Sequence, residues 1–159
     1  MMMSEIVDDV AFEILIFRVG REEYGVDIRK VQEIRSYETA THLANAPEYL
    51  KGVTNLRGLI VPIVDLRIKF GHLAVQYDQQ TVVVVLQINR QTMGLVVDAV
   101  SDVIALSPSL IKPVPQLSEG ASTEYILGLA SVGERLVILV DIVAMLGADV
   151  LVDLETATV

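Results

Sequence analysis

Residues 12–28 read FEILIFRVGREEYGVDI, and residues 81–97 read TVVVVLQINRQTMGLVV. Set at an offset of 69, the two stretches carry apolar residues at the same places. Ile14, Leu15, Ile16 and Phe17 fall on Val83, Val84, Val85 and Leu86, while Tyr24 and Val26 fall on Met93 and Leu95. The match runs on through Arg35 and Ile104; Arg21/Arg90, Gly25/Gly94 and Val31/Val100 are identical. Each apolar run is short, rich in β-branched residues and bounded by polar residues, as buried strands are. Gly20–Glu23 and Asn89–Thr92 then read as hairpin turns.

A second correspondence follows downstream. Tyr49–Gly71 lies on Tyr125–Gly147 at an offset of 76, and Tyr49/Tyr125, Gly52/Gly128, Val61/Val137, Val64/Val140, Asp65/Asp141 and Gly71/Gly147 are identical. The order is the same in both copies, and a longer loop holding Pro108, Pro113, Pro115 and Gly120 absorbs the difference in offset. The chain therefore reads as one domain, residues 12–148, made of two related β units at about 12–75 and 81–148, with terminal segments 1–11 and 149–159. Five or so short curved strands per unit predict a small barrel. Few positions fit inside such a barrel, so two of them are expected to bury apolar surface against each other.

Local signals fill in each unit. Leu50–Leu56 and Leu59–Val64 read as a strand pair turning at Arg57–Gly58. Pro62 has no N–H, which predicts an edge strand or a bulge. Asp65 and Asp141 are expected to cap short helices ending at Gly71 and Gly147. After Asp27, the spacing of Ile28, Val31 and Ile34 leaves a helical turn and a strand both open.

Composition narrows the function. The chain has 159 residues, 12 Lys and Arg against 21 Asp and Glu for a net charge of −9, and a pI near 4.6. That balance argues against nucleic-acid binding, which needs clustered cations. Without cysteine there is no disulfide framework, thiolate metal site or cysteine nucleophile. The mean hydropathy of +0.52 is high, yet the most apolar stretch, Leu136–Val152, is interrupted by Asp141 and Asp149 and is too short to span a bilayer. The first ten residues hold Glu5, Asp8 and Asp9 and no basic residue, unlike a secretory signal. A cytoplasmic protein without direct membrane insertion is expected.

Candidate chemistry is sparse. His42 and His72 occupy non-equivalent places and read as solvated loop histidines. No metalloprotease, nucleophile-elbow, dinucleotide, P-loop or EF-hand pattern occurs. Asp65 and Asp141 read as helix caps rather than a catalytic carboxylate pair. One asymmetry stands out: Arg57 aligns with Gly133, while Glu33 aligns with Asp102. Arg57 reads either as a solvated turn residue or as the partner of Glu33 in a protein-binding pair, with apolar neighbours such as Val31 supplying most of the affinity.

Those residues lie in blocks that resemble the CheW family, the coupling proteins of bacterial chemotaxis: EYGVDI at 23–28, KVQEIR at 30–35, KGVTNLRGLIVPIVDLR at 51–67, GLVVD at 94–98 and STEY at 122–125. The resemblance covers about Phe12 to Leu146, and the block around Asn55-Leu56-Arg57-Gly58 is its most specific part. It implies a mostly β fold of two SH3-like five-stranded β-barrels packed around a shared hydrophobic seam, with short helices. The implied role is non-catalytic, without cofactor or metal: an adaptor between the cytoplasmic tips of methyl-accepting chemoreceptors and the regulatory domain of the histidine kinase CheA, helping to build receptor arrays. At 159 residues there is no room for kinase modules, so a stand-alone adaptor is expected. By the same resemblance, receptor contacts fall on Val31, Glu33, Gly52, Arg57, Val82 and Gly94. Kinase contacts fall on the loop Lys112–Leu117, at Lys112, Gln116 and Leu117, where Gln116 departs from an acid in a related protein. Against an enzyme or small-ligand barrel stands the scarcity of inward polar positions. Against a module for proline-rich peptides stands the lack of tryptophan.

Overall fold

Successive side chains on a strand point to opposite faces, and here both faces of the central strands are buried. Ile14 and Ile16 join Leu106, Ala130, Val137 and Leu139 in one small core. Their neighbours Leu15, Phe17 and Val19 turn the other way, into a large cluster with Val84, Leu86, Ile88, Leu95, Val140 and Leu146. Val83 and Val85 face a third core with Leu56, Val61, Ile63 and Val96. The uninterrupted apolar runs thus serve a small interior on one face and a shared seam on the other. Each fully buried aliphatic side chain contributes about 1.5–3 kcal/mol.

The computed structural model describes residues 10–72, 74–115 and 125–146. Its strands are β1 (Phe12–Val19), β2 (Glu22–Asp27), β3 (Val31–Ser36), β4 (Leu50–Leu56), β5 (Leu59–Asp65), β6 (Val82–Ile88), β7 (Gln91–Val97), β8 (Ala99–Leu106), β9 (Ile111–Lys112), β10 (Ile126–Val132) and β11 (Arg135–Val140). They form a six-stranded sheet, β8-β1-β2-β11-β10-β9, and a five-stranded sheet, β3-β6-β7-β5-β4. The fold is mostly β with few short helices, as expected, and the two sheets share the apolar seam.

Three details depart from the expectation. First, neither sheet is hydrogen-bonded shut among the described residues, so the barrels are open, and the two-residue β9 makes one of them six-stranded. Second, the sheets do not follow the repeat boundary: β1 and β2 pair with strands of the second copy, and β6 and β7 with strands of the first. The exchange preserves the register. The parallel pair Ile63↔Gly94 corresponds, through the two offsets, to Leu139↔Gly25. Both glycines are needed at that crossing. A Cβ at Gly94 would lie 2.6 Å from Val83 and 2.8 Å from Ile63, and one at Gly25 would lie 2.9 Å from Ile14 and 3.0 Å from Leu139, the equivalent residues. Third, β5, which holds Pro62, is an interior strand. Pro62 pairs with Val53 beside the bulge at Leu50/Gly52, one residue before the pairing with β7 starts at Ile63, so its missing N–H falls outside that parallel ladder.

After Asp27 the chain makes a 3₁₀ turn, Ile28–Lys30, capped by the Asp27 side chain, and then enters β3. Asp65 caps the short helix Leu66–Lys69, its Oδ1 accepting from Arg67 N at 3.0 Å. Asp141 does the same for residues 142–146, accepting from the Val143 and Ala144 amides; Gly147 lies outside the described residues.

The two caps differ in a way the sequence did not announce. Asp65 is fully buried and also binds the buried Arg67 guanidinium, with Nε and Nη2 at 3.0 and 2.8 Å. Tyr77 donates its hydroxyl to the same carboxylate at 2.8 Å. Burial pushes the Asp65 carboxyl upward, but the bonds from Arg67 and Tyr77 outweigh it and hold it below the usual aspartate value; burial and Asp65 push Tyr77 up to about 12. A carboxylate depressed in the folded state contributes stability above its unfolded pKa of about 3.9, and that stability is lost as pH falls through the lower folded value. We expect urea midpoints to drop on going from pH 5 to pH 3, and to drop less in Asp65→Asn. An equal drop in both proteins would assign the acid sensitivity to other carboxylates.

Candidate functional site

The cross-strand register assembles much of the candidate site. Glu33 of β3 stands opposite Val85 of β6, Val85 opposite Gly94 of β7, Gly94 opposite Ile63 of β5, and Ile63 opposite Gly52 of β4. Three of the six receptor-contact candidates, Glu33, Gly94 and Gly52, therefore lie on one row across the five-stranded sheet. Glu33 and Gly52 sit on its two edge strands.

Arg57 closes that row. It occupies the turn between β4 and β5 with φ +53°, a left-handed conformation steadied by Asn55 Oδ1 accepting from Gly58 N at 2.7 Å. From the turn its guanidinium reaches Glu33: Nη2 binds Oε2, and Nη1 lies 3.5 Å from Oε1. Arg35 adds Nη1 at 3.3 Å from Oε1. The ion pair thus ties β3 to the β4–β5 turn, across the side where the sheet stays open. The bond from Arg57 holds the Glu33 carboxyl below its ordinary value against partial desolvation, with Arg35 assisting, and Glu33 in turn raises Arg57. Glu33 is 23% exposed and Arg57 64%, so the carboxylate is sheltered while the guanidinium fronts solvent.

Exposed apolar residues lie next to the pair in sequence: Leu59 and Ile60 follow Arg57–Gly58, and Ile34 follows Glu33 on the opposite face of β3. Val31 and Val82 are half-buried against the seam. Gly94 and Gly52 are buried, and both have a packing reason to be glycine. Gly94 is set by the crossing described above. At Gly52, φ is +138° and a Cβ would stand 1.9 Å from the Thr41 carbonyl oxygen. The cleft between β3 and β4, lined by Arg35, Thr54, Asn55, Leu56, Val61 and Val85, has a volume of about 40 Å³. That is room for a water or two, whereas small-molecule sites run to about 300–1,000 Å³.

The other sheet carries a variant of this arrangement. Asp102, the counterpart of Glu33, meets Arg135 Nη2 at 3.1 Å, and Arg135 also binds Glu23 through Nε and Nη2 at 2.8 and 3.0 Å. The cation comes from strand β11, because Gly133 stands where the first copy has Arg57. Arg135 aligns with Leu59, so charge matching along the repeat did not reveal it. Ile34 and its repeat counterpart Val103 are both exposed, at 43% and 46%, on outward positions of the edge strands β3 and β8. His42 and His72 are exposed, as expected.

Lys112 lies on β9, the edge strand of the six-stranded sheet, and is exposed. Gln116 and Leu117 lie outside the described residues. The receptor candidates and Lys112 thus belong to different sheets. Among the described residues, no helix is long and apolar enough to cross a membrane.

Comparison with known proteins bears on the family and the fold. The family model for the CheW-like domain matches residues 13–150. A protein named chemotaxis protein CheW from Klebsiella aerogenes is 52% identical over 142 residues, covering 89% of this chain and 86% of the relative. A chemotaxis protein CheW from Rhizobium meliloti is 37% identical over 130 residues, covering 82% and 84%. The crystal structure of the scaffolding protein TtCheW from Thermoanaerobacter tengcongensis superposes with a TM-score of 0.79 at 28% identity, covering 89% of this chain and 96% of that one. With the interleaved sheets, the shared seam and the Glu33–Arg57 row in place, the chain belongs to the CheW-like domain family of chemotaxis proteins.

Proposed function

We propose that this protein is a non-catalytic chemotaxis adaptor in the cytoplasm, coupling the tips of transmembrane chemoreceptors to the histidine kinase CheA through the outer surfaces of its two sheets. The observation that carries the reading is the Glu33–Arg57 pair: a sheltered carboxylate holds a solvent-facing guanidinium at a turn that runs on into exposed Leu59 and Ile60. A helical partner lays apolar side chains into a groove and takes its register from charges at the rim. Val31 and Val82, half-buried against the seam, are assigned to the same receptor contact, and Gly52 and Gly94 would support it from within the sheet. The kinase face is assigned to Lys112, on the edge strand of the other sheet, together with Gln116 and Leu117, which follow it in the sequence. Heterologous contacts of this kind at two separate faces build rings when the rotation closes, and avidity in such an array compensates for modest single affinities.

The test is reconstitution of receptor signalling fragments, kinase and this protein, read by co-sedimentation and by kinase activity. Receptor-dependent kinase activation is expected only when the protein is added; activation without it would refute the coupling role. Arg57→Ala and Val31→Asp are expected to weaken receptor co-sedimentation by about tenfold or more, as loss of an interface anchor does; Arg57→Ala is expected to melt as the parent does, and Val31→Asp somewhat lower, because Val31 packs against the seam. Normal receptor binding by both variants would move the receptor site elsewhere. Leu117→Ser is expected to spare receptor binding and impair three-component assembly.

A further inference from the structure

Asp98 stands where the chain leaves the five-stranded sheet at Val97 and enters the six-stranded sheet at Ala99. Its carboxylate gives one oxygen to each sheet. Oδ1 accepts from Arg67 Nη1 at 3.2 Å, and Arg67 is anchored on Asp65 at the end of β5, in the five-stranded sheet. Oδ2 accepts from Gly20 N at 2.7 Å, in the β1–β2 turn of the six-stranded sheet. The Asp98 amide also donates to Arg18 O at 3.0 Å, on β1. Arg67 is 1% exposed, and its Nη1 is further held by Gln76 O at 2.6 Å, while the Tyr77 ring lies 4.7 Å from its Cζ. Among the described residues, no buried side-chain nitrogen or oxygen lacks a partner. The network is complete and its bonds are directional; Asp65 and Arg67 are buried, and Asp98 is 26% exposed.

The repeat supplies an internal comparison. The chain crosses between the sheets a second time at Ile28–Lys30. There Arg29 occupies the position of Asp98, Val143 that of Arg67 and Asn89 that of Gly20. Arg29 is 82% exposed and pairs only with Asp27, two residues away on its own strand end. Among the described residues, one crossover is therefore fastened by an ionic network around a buried arginine, and its pseudosymmetric twin is not.

We propose that the Asp65–Arg67–Asp98 network is a one-sided clamp that sets the angle between the two sheets, leaving the crossover at Ile28–Lys30 as the compliant side. Bonds from one carboxylate to both sheets resist rotation at that junction, and the unfastened junction absorbs what motion remains. The clamp stands on this geometry alone. Its use, holding a receptor-facing and a kinase-facing surface at one angle, rests on the function proposed above.

The chain has no cysteine, so Gln87→Cys in β6 and Ser131→Cys in β10 place two spin labels, one on each sheet, at exposed positions. Pulsed electron-spin distance measurement on the full chain is expected to give one narrow distribution in the parent. Asp98→Asn, which keeps the side chain's shape, and Arg67→Met are each expected to broaden it by about twofold or to add a second distance. Arg29→Ala is expected to leave it unchanged. Parent-like widths in folded Asp98→Asn, or equal broadening in Arg29→Ala, would overturn the clamp. No partner is present in this experiment, so failure of kinase coupling and failure of the clamp are read separately.

Discussion

Replacement of Arg67 by alanine is expected to lower the unfolding free energy by about 3–5 kcal/mol, the usual result of removing one member of a buried ion pair. The cost does not come from a strong bond alone. Asp65 is 0% exposed, so without Arg67 its carboxylate is left charged, desolvated and served only by Tyr77 and a backbone amide. One oxygen of Asp98 loses its Arg67 donor as well, and the Gln76 carbonyl keeps only the Thr81 hydroxyl at 3.5 Å. Because the penalty is that of an orphaned charge, removing both charges should cost less than the sum of the single changes. The double variant Asp65→Leu/Arg67→Met is therefore expected to be more stable than addition predicts, by about 1–3 kcal/mol, the range for coupled neighbours. Urea titration at unchanged m-value reads both quantities. A single-variant loss below about 1 kcal/mol would place the pair with ordinary surface salt bridges.

Gly52→Ala is expected to be comparably damaging for a different reason. The new Cβ would lie 1.9 Å from the Thr41 carbonyl oxygen and 2.6 Å from its carbon, atoms of backbone that cannot rotate away. To relieve the overlap, the segment around Thr41 must leave β4. That breaks the reciprocal hydrogen bonds between Thr41 and Val53, at 2.8 and 2.9 Å. With the strain of a non-glycine residue at φ +138°, the sum is about 3–5 kcal/mol. Gly58→Ala is the matched control. Its φ is +87°, but a Cβ there meets nothing within 4 Å, so only conformational strain of about 1–2 kcal/mol is expected. Thermal melts of the two variants separate steric overlap from backbone strain; equal melting temperatures would remove the steric argument. Loss of receptor binding in Gly52→Ala would then report the collapse of β4, and Arg57→Ala remains the cleaner probe of the interface.

These two cases mark how far the sequence could be read. Gly52 and Gly128 matched in the repeat, but their reason lies in different neighbours: Thr41 approaches one, and Ile111 and Lys112 the other. No spacing rule foretells those approaches. Asp65 and Asp141 matched equally well, and both are indeed caps. Only the first is buried with an arginine, because position 67 is Arg and its counterpart 143 is Val. The Glu33–Arg57 pair was legible as a possibility across 24 residues of sequence. The cluster of Glu23, Asp102 and Arg135 was not, because its members are 33 and 112 residues apart from Arg135 and sit on three different strands.

The central strands, their hairpins and the need for two apolar faces were determined by local pattern, since side-chain alternation and β-branched runs act over a few residues, whereas β3 stayed open between helix and strand. Which hairpin pairs with which copy was not. The two copies present the same apolar faces and the same glycine at the same register, so either pairing satisfies the local pattern equally. The exchange takes place at Ile28–Lys30 and Asp98, where the chain passes from one sheet to the other. Long-range packing decided it, and with it the row that sets Glu33 against Arg57.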